Sequence, residues 1–235
     1  IDRAITAATR AIILNSPNNP TGRVYKKEEL EALAALLRKK SAAIGHPLFI
    51  VSDEPYRELV YDGIVTPFIP LIYENTIICY SYSKVFSMPG ERIGYILVNP
   101  RAEAARDIYD AIAGSARSLG YVCAPSLIQR VIARCVNTRP NLEPYDLNRK
   151  TMYEGLTAVG YECVRPEGAF YMFVKAPGGD AQAFSDHARL RYNLLVVPSE
   201  SFGCPGYLRL SYCVSLERIK SSLPLFDMCL KSFNS

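Results

Sequence analysis

Four short runs are nearly unbroken in apolar residues: Arg10–Asn15, Pro47–Ser52, Thr76–Tyr80 and Arg92–Val98. Runs of that length, apolar on both faces, are the signature of strands in a sheet covered on both sides. The stretch Lys26–Ala43 behaves differently. Its Leu30, Leu33, Ala34 and Leu37 recur at helical spacing, with Glu28, Glu29 and Glu31 early and Arg38, Lys39 and Lys40 late, and Gly45-His46-Pro47 ends it. Strands of this kind separated by a helix predict an α/β fold: a mostly parallel sheet with helices on both faces. Ligands of such sheets gather outside the carboxyl ends of the strands. Asn19, Asp53, Ser81 and Lys84 stand at those ends.

Further along, Pro100–Ala113, Pro125–Asn137 and Leu142–Val159 read as helices. Thr138-Arg139-Pro140 interrupts the pattern, and beyond Gly160 the texture becomes α+β. Phe170–Val174, Leu194–Val197 and Tyr207–Tyr212 read as strands, with a helix over Ala181–Tyr192. A last helix from about Ser215 is expected to kink or break at Pro224. We therefore expect two domains: 1–140, a larger one built on the first four strands, and 141–235, a smaller α+β domain entered by a long linking helix.

Composition narrows the function classes. The net charge of +4 comes from scattered basic residues, so no nucleic-acid surface is expected. Seven cysteines form an odd set without a CxxC pair, which fits free thiols in a reducing, cytoplasmic setting rather than a disulfide framework or a zinc site. Two histidines are too few for a histidine metal cluster. No apolar run reaches membrane-spanning length, and no basic and apolar leader precedes the first strand.

The chemistry concentrates in Thr76–Gly94, TIICYSYSKVFSMPGERIG. A lysine directly after a buried strand is placed where burial disfavours its charged form. Lys84 can then act as an amine nucleophile and form a Schiff base with a carbonyl. Arg92, beyond Pro89 and Gly90, suits an anion such as phosphate, and with the hydroxyls of Ser81 and Ser83 the set suits a phosphorylated aldehyde. A lone lysine is more often a solvated surface residue. Asp53 can hold a pyridinium nitrogen protonated, which raises a pyridine cofactor's capacity to accept electrons; it can equally cap a helix. Tyr56 offers a phenol to the same ring, or packs as an ordinary aromatic. Asn19, ahead of Pro20 in a turn tight enough for a cis bond, can donate to a phenolate oxygen or simply form the turn.

Taken together the motifs resemble those of the class I/II aminotransferases, the fold type I enzymes that use pyridoxal 5′-phosphate. Ser-Pro-Asn-Asn-Pro-Thr-Gly at 16–22, Ser-Asp-Glu-Pro-Tyr at 52–56, Ser-Tyr-Ser-Lys at 81–84 and Pro-Gly-Glu-Arg-Ile-Gly at 89–94 stand in that family's order and spacing. Pro166–Tyr171 and Pro198–Gly203 followed by Arg209-Leu210-Ser211-Tyr212 resemble its small-domain motifs. The resemblance implies that Lys84 bonds the cofactor aldehyde and moves a proton between substrate Cα and cofactor. Asp53 would pair with the ring nitrogen, and Asn19 and Tyr56 would bind the ring oxygen. Ser81 and Arg92 would hold phosphate. Arg209, otherwise a surface strand residue, would take the substrate α-carboxylate, with Asn19 beside it.

The resemblance also implies a homodimer, amino acid and 2-oxo acid substrates (aspartate or aromatic types foremost), and a further segment ahead of Ile1 carrying more strands, a phosphate loop and a ring-stacking aromatic. On that reading the chain is an N-terminally truncated piece with open sheet edges that binds cofactor weakly or not at all and has little or no activity. Two other readings stay open: a β-lyase or synthase on the same scaffold, or an inactive fragment or regulator recruiting a partner through its sheet edges.

Overall fold

The computed structural model describes residues 1–233, which divide into two compact units. One comprises 1–16, 25–58 and 65–140; the other comprises 17–24, 59–64 and the chain from Asn141.

The first unit is built on a four-stranded sheet: β1 (Ala11–Asn15), β2 (Phe49–Asp53), β3 (Thr76–Ser81) and β4 (Gly94–Val98), adjacent in that order. β1, β2 and β3 run parallel, while β4 runs antiparallel to β3. A parallel return needs a long crossover, usually helical. Residues 82–93 hold only α2 (Tyr82–Val85), a single turn, and a 3-10 turn over Pro89–Glu91, so the chain folds straight back. The sheet is therefore mixed at its last strand, and β1 and β4 are its edges.

Side chains alternate across each strand. Leu14 and Ile50 join Leu48, Ile69 and Tyr73 and the apolar stripe of α1 (Lys27–Ile44), namely Leu30, Leu33, Ala34 and Leu37, in one core cluster. The start of α1 is held by the Glu29 carboxylate, which accepts from the Lys26 N–H at 2.9 Å, and Gly45 ends it in the left-handed region. The opposite face carries Ile77 and Ile96. Over them lies α3 (Ala105–Ser118), whose Ile108, Ala111 and Ile112, with Leu119 just beyond it, line an apolar cavity of about 580 Å³. At the β1 edge Ile13 remains 76% exposed.

The helix expected over Pro100–Ala113 begins later, at Ala105, for a local reason. Asn75 Oδ1 accepts from the Glu103 N–H at 2.8 Å and Asn99 Oδ1 from the Arg101 N–H at 3.1 Å, so 99–104 is held as a turn. α4 spans Ser126–Cys135.

The second unit pairs a sheet with three helices. Its strands are β5 (Cys163–Val164), β6 (Tyr171–Lys175), β7 (Val197–Pro198) and β8 (Tyr207–Ser211), in the order β5-β6-β8-β7, all antiparallel. Its helices are α5 (Glu143–Val159), α6 (Ala181–Tyr192) and α7 (Leu216–Phe233). Two expectations change here. Leu194–Val197 forms no full strand: Asn193 ends α6 in the left-handed region, the Leu194 N–H returns to Ala188, and pairing with β8 begins only at Val197. The helix with Pro224 does not break there. Buried Ile219 on one side of the proline and buried Phe226 and Cys229 on the other anchor both halves, and α7 packs on α5 and α6.

Segments 17–24 and 59–64 belong to this unit through backbone contacts that require glycine. Gly22 (φ 72°) accepts from the N–H groups of Glu167 and Gly168, both at 2.8 Å. A Cβ on Gly22 would meet Pro166 Cβ at 2.7 Å and the Tyr171 carbonyl at 2.9 Å. Glu167 Oε2 in turn accepts from the Val24 N–H at 3.0 Å. Arg149, 1% exposed, donates to Asp62, Asp146 and the Pro166 carbonyl, and lies over the Tyr61 ring at 4.6 Å. The Arg149 bonds hold the Asp62 carboxyl below the ordinary aspartate range; at Asp146 burial pushes upward, and the bonds from Lys150 and Arg149 together bring it below that range.

Candidate active site

In the first unit, the register collects the expected residues at one end of the sheet. Asp53 ends β2 and faces Cys79 on β3; Ser81 ends β3 and pairs with Gly94 at the start of antiparallel β4. Lys84 follows on α2, partly buried, and Arg92 precedes β4. The short, reversed connection therefore brings the carboxyl end of β3 and the start of β4 together.

Asp53 is held by a residue the motif reading passed over. Asn15 ends β1 opposite Asp53, and its amide donates to the Asp53 backbone carbonyl and to Oδ2, both at 3.0 Å. Burial pushes the Asp53 carboxyl above the ordinary range; the Asn15 bond opposes this, and the negative charge of Glu54 adds to it. The neighbouring Glu54 is itself buried and fully engaged. Ser52 Oγ donates to Oε1 and Arg57 Nη1 to Oε2, both at 2.7 Å, while Arg57 is tied to the Thr66 and Pro67 carbonyls. The backbone on either side of Asp53 is thereby fixed, and Tyr56, three residues on, is 4% exposed. Strand register could have found Asn15; nothing in the sequence pattern marked the Ser52–Glu54–Arg57 set.

Ser81 caps α2, accepting from the Ser83 N–H at 3.2 Å and donating to Ser83 Oγ at 2.8 Å. Arg92 is exposed, sits in the left-handed region (φ 52°), and donates from Nη1 to the Pro89 carbonyl at 2.9 Å. Among the described residues there is no cluster of metal-ligating side chains and no helix long and apolar enough to cross a membrane.

The remaining two expected residues lie in the second unit and touch each other. Arg209 Nη1, on β8, donates to Asn19 Oδ1 at 3.0 Å, and the Asn19–Pro20 bond is cis. Arg209 Nε is buried with no hydrogen-bond partner among the described residues. The guanidinium lies 4.7 Å from the ring centre of Tyr171 and 5.0 Å from that of Phe202. Neither ring was marked by the sequence as a partner of Arg209.

The profile of the family "Aminotransferase class I and II" matches residues 1–223. This chain belongs to the class I and II aminotransferases. It is 34% identical to a probable aspartate/prephenate aminotransferase of Thermus aquaticus, over 98% of this chain and 59% of the relative. It is 30% identical to aromatic-amino-acid aminotransferase 2 of Thermococcus litoralis, over 98% and 60%. A solved aminotransferase from Eubacterium rectale superposes with a TM-score of 0.96 at 51% identity, covering all of this chain and 58% of the other. The chain thus spans about 59% of the length of the curated relatives it matches.

Class I/II aminotransferases use pyridoxal 5′-phosphate, and the residues here fit that group on one physical count above others. Asp53 is a carboxylate that burial penalises and that no cation pairs with among the described residues. A protonated ring nitrogen is the kind of partner that would relieve it.

Proposed function

We propose that this aminotransferase chain serves the transfer of an amino group from an amino acid, of the aspartate or aromatic type, to a 2-oxo acid. The names of its relatives support that substrate range. The observation that carries the assignment to particular residues is the placement of Asp53, Ser81, Lys84 and Arg92 at one end of the first unit's sheet.

Pyridoxal phosphate, when bound, supplies an aldehyde for covalent capture of the amino group and an electron-accepting ring. The protein's residues do the rest. Asp53 holds the proton on the ring nitrogen, and Asn15 fixes the direction of its carboxylate. Tyr56 and Asn19 bind the ring oxygen. Ser81 and Arg92 take the phosphate. Lys84 would hold the cofactor through its amine and would carry the proton away from substrate Cα. Arg209 holds the α-carboxylate by its planar donor fork, with Asn19 at its side. We assign 1–140 as the larger, cofactor-binding domain and 141–235 as the smaller one. The working protein is proposed to be a cytoplasmic homodimer.

The test is turnover. In the working homodimer, aspartate or phenylalanine with 2-oxoglutarate should yield glutamate and Lys84→Ala should abolish it, while the present chain by itself is expected to give little or none. Release of ammonia and pyruvate from a β-substituted amino acid, with no glutamate formed, would point instead to a lyase.

A further inference from the structure

The surroundings of Arg209 assign roles to two residues that the motif reading left without any. We propose that Tyr171 and Phe202 are positioning residues: an aromatic clamp that sets the plane of the Arg209 guanidinium for an incoming carboxylate. The inference rests on the reading of Arg209 as the carboxylate receptor and deepens it.

A guanidinium is flat, and all its donors lie in its plane. Ring faces attract it without consuming a donor. Two rings are centred 4.7 and 5.0 Å from the guanidinium carbon. In the plane, Asn19 Oδ1 takes one Nη1 proton, and Nε is sealed from solvent with no partner among the described residues. A cation so sparsely bonded is short of acceptors, and a planar, bidentate carboxylate matches what remains. Arginine carries much rotamer freedom, so fixing its plane beforehand removes a cost that binding would otherwise meet.

The backbone that presents Phe202 is built to stay put. Phe202 ends a 3-10 turn over Glu200–Phe202, its N–H bonded to the Ser199 carbonyl at 2.9 Å, and Gly203 closes the turn at φ 70°. Ser199 is fully buried. Its hydroxyl donates to the Cys204 carbonyl and accepts from the Tyr207 N–H at 3.0 Å, while its own N–H bonds Tyr207 O at 3.0 Å. Tyr207 begins β8, two residues before Arg209, so ring and cation hang from one rigid piece. Tyr171 starts the adjacent strand, where Met172 pairs with Leu210. Phe202 is 37% exposed, so burial of its own surface does not account for its place.

The experiment uses the chain itself, with maleate as the carboxylate probe and proton–nitrogen NMR of the arginine Nε–H groups as the readout. Arg209→Lys identifies the resonance. The expected signal is shifted by ring currents, exchanges slowly with water, and moves on adding maleate. Phe202→Ala should move it towards the position of exposed arginines and weaken maleate binding about tenfold, with an unchanged thermal melt. Phe202→Tyr should restore both. A Phe202→Ala chain that keeps the shifted, protected signal and full maleate affinity overturns the clamp. A protected wild-type signal indifferent to maleate overturns the carboxylate role of Arg209 instead, and the two failures are told apart by that one titration.

Discussion

At the scale of single residues, the site is governed by how burial is offset. Asp53 is partly buried beside a neutral amide and a second carboxylate, so its folded pKa lies above the unfolded one. A raised carboxyl pKa contributes stability below the unfolded value, and that contribution is lost as pH rises through the folded value. Asp53→Asn should therefore match the wild-type chain at the acid end and become the more stable of the two as pH rises past the ordinary aspartate range. Urea unfolding from about pH 3, below the ordinary aspartate value, to about pH 7 checks this; a difference constant with pH would contradict it. The strand-end positions of the residues proposed for the chemistry were legible in the sequence because strand ends are marked by an abrupt change from apolar runs to turn formers. Their partners were not. Asn15, Tyr171 and Phe202 act through register and through contacts across the chain, such as the bond joining Asn19 and Arg209 over 190 residues, which no local pattern encodes.

At the scale of elements, two glycines and one arginine decide how the turns are held. Adding a methyl group at Gly22 forces it against Pro166 and the Tyr171 carbonyl in a backbone region that side chains avoid. Gly22→Ala should cost about 2–3 kcal/mol, read as a loss of melting temperature. Gly168→Ala meets Pro17 Cβ at 2.7 Å and the Leu59 carbonyl at 2.9 Å, and should behave alike. Arg149→Met removes a buried cation that ties Asp62, Asp146 and the Pro166 carbonyl together. It should cost about 3 kcal/mol in denaturant unfolding. Asp62 and Asp146 have depressed pKa values, so their contribution is present above the unfolded pKa and lost as pH falls through the folded one. The wild type should lose its advantage over Arg149→Met on acidification. Helix and strand positions were mostly readable from periodicity. The errors fell where side chains capture backbone, as Asn75 and Asn99 do ahead of α3, or where packing overrides propensity, as around Pro224.

At the scale of the molecule, each unit carries a distinct share of the proposed chemistry. The first holds Asp53, Ser81, Lys84 and Arg92 at one end of a mixed sheet, and the second holds Arg209 bonded to Asn19. The sheet's composition was legible because its strands are apolar on both faces, but the reversal of β4 was not, since it depends on how short a connection the chain makes. The central claim is that Lys84 is the amine that meets the cofactor aldehyde. Adding pyridoxal 5′-phosphate to the chain, reducing with borohydride and mapping the modified peptides by mass spectrometry tests it most directly. The account predicts modification concentrated at Lys84 and reduced by Asp53→Ala. Label spread over the other lysines, with no preference for Lys84 and no response to Asp53→Ala, would contradict it.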